Sequence, residues 1–233
     1  MGPSGVIDVL FLNAILAVFL QEVCGGALQS IGIKHSLYEI LGLGNYPIII
    51  KAFPAIENER SNLFEIYVGP NAYGAKPQLA IAVIEGEQEN GVKGELIFMQ
   101  KHPPAGPTLI QGNVTGLTPG KHGIHIHQSG DLREGCEKLG GHFNPYYLEH
   151  GGPTDPVRHV GDLGNIEAGE DGTANVFLLD PLISLSGGHR NIVGRAIVVT
   201  SEADNLGRGD TSMSLISGDS GSPVGCGVIA YIR

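Results

Sequence analysis

Between positions 125 and 162 the chain concentrates His125, His127, His142, His150, His159 and Asp162. Imidazole nitrogens and carboxylate oxygens at this density point to bound metal ions. In Gly123-Ile-His-Ile-His127 the two histidines are two positions apart, so on a strand they share one face and can grip one ion together. His142, His150, His159 and Asp162 form a separate set. Three imidazoles and one carboxylate make the closed tetrahedral shell that a structural zinc takes. The expectation is two metals in one neighbourhood. By strand parity His122 falls on the opposite face from His125 and reads as a packed structural histidine. His35, His102 and His189 have no ligand partners in sequence.

Donors of this kind need a rigid frame. From Gln78 onward short apolar runs alternate with turn residues, at 79–84, 95–99, 109–114, 122–127, 173–179, 196–199 and 224–232. This spacing predicts an all-β, antiparallel sandwich or flattened barrel. The 36 Gly and 14 Pro, with no Trp, favour short strands and many turns over long helices. Thr118-Pro-Gly-Lys121 is a turn in which Pro presets one dihedral and Gly accepts a positive one. Residues 128–160 and 201–223 lack strand periodicity and are too long for passive connectors. Loops of that length on a rigid sandwich are where function sits.

The remaining sequence bounds the organisation. A chain of 233 residues fits one sizeable domain with an N-terminal addition. Its formal net charge of −10 argues against nucleic acid or anionic membrane surfaces as partners. The apolar run 9–20, followed by small residues from Cys24 to Ala27, is too short to span a bilayer and reads as a secretory signal over residues 1–27. Asp8 and the lack of Lys or Arg before Lys34 depart from that pattern, leaving an uncleaved anchor or a buried apolar segment as alternatives. Cys24 would leave with the signal, and export would make Asn113-Val-Thr115 a glycosylation sequon. Residues 28–76 form an extension in which 46–51 and 63–68 read as strands punctuated by Pro47, Pro54 and Pro70, with no function assigned.

The motifs Gly123-Ile-His-Ile-His-Gln-Ser-Gly-Asp131, Gly140-Gly-His-Phe-Asn-Pro145, His150-Gly-Gly-Pro153 and Arg158-His-Val-Gly-Asp-Leu-Gly-Asn165 occur in order, followed by Gly194-Arg-Ala-Ile-Val-Val199 and Cys226-Gly-Val-Ile229. Together they resemble copper/zinc superoxide dismutase over residues 77–233. The resemblance implies a Greek-key β-sandwich, or flattened eight-stranded barrel, whose two long loops enclose the metals. It implies zinc at His142, His150, His159 and Asp162, copper at His125, His127 and the bridging His142, and a disulfide between Cys136 and Cys226. It makes Asp204 an outer carboxylate joining His125 to His150. A zinc there would cross-link a loop expected to have little core of its own.

Two positions depart from the pattern. The fourth copper histidine is Thr200, and the arginine that binds superoxide is Pro223, which has neither charge nor donor. Along the second loop, family positions with two acidic residues and a lysine read Ser212, Met213 and Ile216. The implied reaction is disproportionation of superoxide to oxygen and hydrogen peroxide, with weakened copper binding and weak or lost activity. The alternatives are a non-catalytic zinc-binding interaction module and a Cu(I)-binding protein. Copper delivery is disfavoured, because the paired cysteines of copper chaperones are absent. The family is often homodimeric, but Tyr231 and Ser129 sit where apolar interface residues are common.

Overall fold

A computed structural model describes the strands Leu37–Ile40, Ile48–Ala52 and Phe64–Val68, and residues 76–86, 91–104 and 106–232. The signal expected at 1–27, with its apolar run and Cys24, and His35 lie outside the described residues. Strands β1 (Leu37–Ile40), β2 (Ile48–Ala52) and β3 (Phe64–Val68) form an antiparallel sheet in the order β1-β2-β3. The second and third fall on the two N-terminal runs read as strands. The first, four residues long, is too short to display an alternation.

Eight further strands make a closed antiparallel barrel: β4 (Gln78–Glu85), β5 (Lys93–Gln100), β6 (Thr108–Thr115), β7 (Gly120–Ile126), β8 (Asp162–Ala168), β9 (Ala174–Asp180), β10 (Ala196–Thr200) and β11 (Pro223–Val228). Their order is β11-β10-β7-β8-β9-β6-β5-β4, and pairing of Cys226 with Glu85 closes the ring. A short β12 (Ala230–Tyr231) adds to β4. β7, β8 and β9 are consecutive neighbours, and β10 returns to lie beside β7, which is a Greek key. No helix of the described residues is long and apolar enough to cross a membrane.

Alternation of side chains makes the strands. On β4, Ala80, Ala82 and Ile84 are buried while Leu79, Val83 and Glu85 face outward, and Leu96, Phe98, Ile110 and Val114 fill the same core from β5 and β6. β10 is the exception, with all five residues buried. Ile197 and Val199 enter the barrel core, whereas Ala196 and Val198 pack with Cys136, Leu139 and Cys226 beneath the first long loop. That second cluster contains the Cys136–Cys226 disulfide, which spans 90 positions. A bridge closing so long a loop contributes about 4–5 kcal/mol in the chain-entropy description.

The sequence pattern did not separate β8 from the preceding loop, because Asp162 and Gly164 interrupt its apolar alternation. The two long connections are otherwise as expected, running from β7 to β8 and from β10 to β11. The first carries two 3-10 turns, at Leu132–Glu134 and Cys136–Lys138. The second holds one helical turn, Ser214–Ser217. One expectation is corrected: the first loop has apolar anchors of its own. Leu139 is fully buried, Phe143 and Val160 belong to the main core, and Tyr146 and Leu148 pack against it.

Candidate metal centre

β7 brings His125 to the open end of the barrel, and the chain continues straight into His127, which pairs with His142 in an isolated bridge. A register irregularity between Gly123 and His125 sets His125 opposite Asp162, the first residue of β8. His122 is buried apart from this group, with Nδ1 2.8 Å from the Thr200 carbonyl and Nε2 2.8 Å from that of Thr118. His102 and His189 are exposed.

His142 sits at the middle of the cluster. Its ring stacks on His125 at 4.0 Å between centroids and stands edge-on to His127, His150 and His159 at 5.3, 5.2 and 5.6 Å. On one side, Asp162 Oδ1 lies 2.8 Å from His142 Nδ1, 3.0 Å from His150 Nδ1 and 3.1 Å from His159 Nδ1. One carboxylate oxygen cannot satisfy three imidazoles in good directions. A tetrahedral zinc with bonds of about 2.0–2.1 Å needs donors about 3.3 Å apart, which is close to what these four residues offer. The set fits zinc.

Each outer nitrogen has an acceptor that settles which nitrogen carries the proton. His125 Nε2 donates to Asp204 Oδ2 at 3.0 Å, and His150 Nε2 to Asp204 Oδ1 at 2.8 Å. His159 Nε2 donates to the Leu148 carbonyl at 2.9 Å, and His127 Nδ1 to that of Gly140 at 2.7 Å. The opposite nitrogens are therefore left with free lone pairs. Among the described residues, His125 Nδ1 and His127 Nε2 are buried without a hydrogen-bond partner, while His150 Nδ1 faces Asp162 Oδ1 at 3.0 Å. Orphaned buried nitrogens are costly unless something binds them, and a metal ion is what neutral imidazole nitrogens bind.

Asp162 is braced from behind. Its Oδ2 accepts from the backbone of His159 and Gly151 at 2.7 and 3.1 Å, and Arg158 Nη1 donates to its carbonyl at 2.6 Å. Arg158 is itself buried, paired at 2.5 Å with Asp180. Gly218 is a residue that sequence reasoning missed. Its φ of 70°, and a Cβ that would lie 1.9 Å from Asp204 Oδ1 and 2.6 Å from His150 Nε2, exclude any side chain there. Only its place directly after the helical turn hinted at this, as a C-cap glycine.

The two departures from the expected ligand pattern meet in space. Thr200 and Pro223 are register partners across β10 and β11, at a bulge between Val199 and Thr200. Thr200 is buried, and its hydroxyl lies 3.3 Å from the carbonyls of both Gly123 and Glu202, where it donates. It is spent on backbone rather than offered to an ion. Met213 and Ile216 are exposed on the second loop, at 48% and 57%. The loop is tied to the cluster by His150 N donating to the Leu215 carbonyl at 2.9 Å.

Protonation follows from these surroundings. Burial lowers His125, and burial with neighbouring imidazoles pushes His127 and His142 down to about 4. Burial opposes charge on His150 too, but Asp162 and Asp204 on either side outweigh it and raise it to about 9. Burial would raise the two carboxyls, yet their histidine partners hold Asp162 well below the usual range and Asp204 near about 2. Metal-free protein is thus expected to be most stable near pH 6.5. His127 and His142 bind fewer protons folded than unfolded, so stability falls as pH drops from 6.5 toward 4. The raised His150 contributes fully below 6.5, and that contribution is lost as pH rises through about 9. Urea midpoints of chelated protein at pH 4, 6.5 and 9 check both limbs.

The family described as copper/zinc superoxide dismutase (SODC) matches residues 92–229. Copper/zinc superoxide dismutase 2 of Mesembryanthemum crystallinum is 50% identical over 150 residues, which is 64% of this chain and 93% of that protein. With an eight-stranded Greek-key barrel, the disulfide and a buried histidine and aspartate cluster on one scaffold, the chain belongs to the copper/zinc superoxide dismutase family.

Proposed function

We propose that this chain is a superoxide-dismutase-type metalloprotein with a complete zinc position, an impaired copper position and weak turnover of superoxide. His142, His150, His159 and Asp162 would hold zinc, and His125, His127 and His142 would hold copper. In the family reaction two superoxide ions and two protons become oxygen and hydrogen peroxide. Copper, when bound, supplies the one-electron chemistry, while zinc supplies charge and a cross-link. The chain's own residues do the positioning. Asp204 fixes the rings of His125 and His150 together, so the two positions share one outer carboxylate. Pro223 offers an incoming anion no cation, and the apolar Met213 and Ile216 add none.

The supporting observation is the contrast between donors. His125 Nδ1 and His127 Nε2 are buried and unpartnered, whereas the Thr200 hydroxyl is occupied by backbone carbonyls. Protein purified from its source should carry zinc near one equivalent and copper well below it. Copper-loaded protein should turn over superoxide faster than buffer in pulse radiolysis, with little dependence on ionic strength. Absence of zinc, or a strongly salt-dependent rate, would overturn the proposal. A second reading, a non-catalytic zinc-ordered module, is favoured by the coincidence of Thr200 and Pro223 at one strand pair. Stoichiometric zinc with turnover no faster than buffer would establish it, and tight Cu(I) retention without turnover would instead indicate a Cu(I)-binding protein. The apolar run 9–20 and the Cys136–Cys226 bridge support export of the chain.

A further inference from the structure

A cation outside the ligand set reaches the edge of the cluster. Arg195 stands immediately before β10 and is half-buried. Its Nη1 donates to the Gln128 carbonyl and its Nε to the Asn191 carbonyl at 3.2 Å, while the guanidinium carbon lies 3.6 Å from the centre of the Phe143 ring. Gln128 directly follows His127, and Phe143 directly follows His142. One side chain therefore touches the next-door neighbours of both histidines that pair in the isolated bridge.

Backbone bonds carry this grip to the rings. Gln128 N donates to the Gly141 carbonyl at 3.0 Å and Ser129 N to the Leu139 carbonyl at 3.0 Å, which fixes the stretch between them. That stretch holds the Gly140 carbonyl, the acceptor that keeps the His127 proton on Nδ1 and leaves Nε2 bare. His127 N donates to the Ala196 carbonyl at 2.8 Å and Ala196 N to the Ser129 carbonyl at 3.0 Å, so the same segment is laced to the residue after Arg195. The fit is close: a Cβ on Gly130 would lie 2.1 Å from the Gly194 carbonyl oxygen. On the other arm, Phe143 N donates to the Ile126 carbonyl at 2.7 Å, which sets the residue after His142 against the residue before His127.

The remaining donors are held by other means. His125 and His150 rest on Asp204, His159 on the Leu148 carbonyl, and Asp162 on the backbone of His159 and Gly151. We propose that Arg195 is a positioning residue, which sets His127 and His142 at the separation and orientation that one copper ion requires. This rests on the copper reading of His125, His127 and His142. Arginine suits the task because its planar fork meets two carbonyls at once while its face lies on a ring, which the single ammonium of lysine cannot do. The partners are carbonyls and an aromatic ring, so the cation serves geometry rather than charge pairing.

The experiment compares Arg195→Met and Arg195→Lys with the parent in full-length, zinc-loaded protein. Long-range proton–nitrogen NMR spectra of the copper-free form should show His127 protonated at Nδ1 in the parent and exchanging between both nitrogens in Arg195→Met. Competition against a chelator should show Cu(II) held about tenfold more weakly by Arg195→Met, the loss expected when a ligand's support is removed, with zinc affinity falling less. Arg195→Lys should fall between, since it keeps a cation over Phe143 but not the fork. An unchanged His127 spectrum, or copper and zinc affinities that fall in parallel as loss of a merely structural residue would make them, would overturn the proposal. A parent that binds no Cu(II) would instead overturn the copper reading on which this rests, with the His127 spectrum still deciding whether Arg195 holds that ring. Should Arg195→Met not fold, an Arg195→Lys protein with the parent's spectrum and copper affinity would overturn the proposal as well.

Discussion

Thr200→His combined with Pro223→Arg is expected to raise the superoxide turnover of metal-loaded protein by about a hundredfold or more, equivalent to ~2.7 kcal/mol of barrier. The two positions face each other across β10 and β11, so both changes fall on one small region. Position 200 adjoins the cluster. A Cβ on Gly123 would lie 2.6 Å from Thr200 Oγ1 and 2.8 Å from His125 Cε1, so both side chains border the gap that this glycine leaves open. An imidazole at 200 gives up only the threonine's bond to the Gly123 or Glu202 carbonyl and adds a nitrogen donor of the kind copper prefers. Arginine at 223 restores a cation for an anionic substrate. The single variants separate the effects: Thr200→His should raise copper retention in dialysis, and Pro223→Arg should make the rate fall with added salt. A double variant with full copper and an unchanged rate would show that neither residue limits the reaction.

Removal of zinc should lower the melting temperature by roughly 8–16 °C, since an ion at a thousandfold over its Kd stabilises by about 4 kcal/mol and each kcal/mol moves a domain of this size by about 2–4 °C. Asp162→Ala should cost more than chelation alone. Besides facing three imidazoles through Oδ1, Asp162 holds the backbone of His159 and Gly151 through Oδ2, and losing it leaves those buried donors unmet at about 1–3 kcal/mol each. Calorimetry of both proteins with and without chelator tests this. The parent should shift and the variant should not. A parent melting curve indifferent to chelator would remove zinc from the account of the loop.

The outer carboxylate joins these two expectations. Asp204 touches both His125 and His150, so a change at one ring reaches the other through a shared acceptor. Under the proposed assignment, copper affinity should therefore be read only in zinc-replete protein.

Much of this was legible in the sequence. Donor type and spacing singled out His142, His150, His159 and Asp162, four donors that the structure gathers within reach of one ion. Alternation located seven of the barrel's apolar runs, because each strand must bury one face. The β8 strand escaped, since its first residue is spent on the cluster rather than on the core.

Tertiary structure alone decided what depends on register and on distant segments. Spacing could not reveal that a bulge sets His125 opposite Asp162, that Thr200 and Pro223 are partners, or that Gly218 must be bare for Asp204 to reach His150 across 54 positions. Strand register likewise aligns Leu79, Met99, Leu109 and Leu179 into one apolar row. Local chemistry is written in residue identity because each side chain carries its donors with it. Contact between distant residues is set by the closing of the barrel, where a shift of one position would turn every side chain to the opposite face.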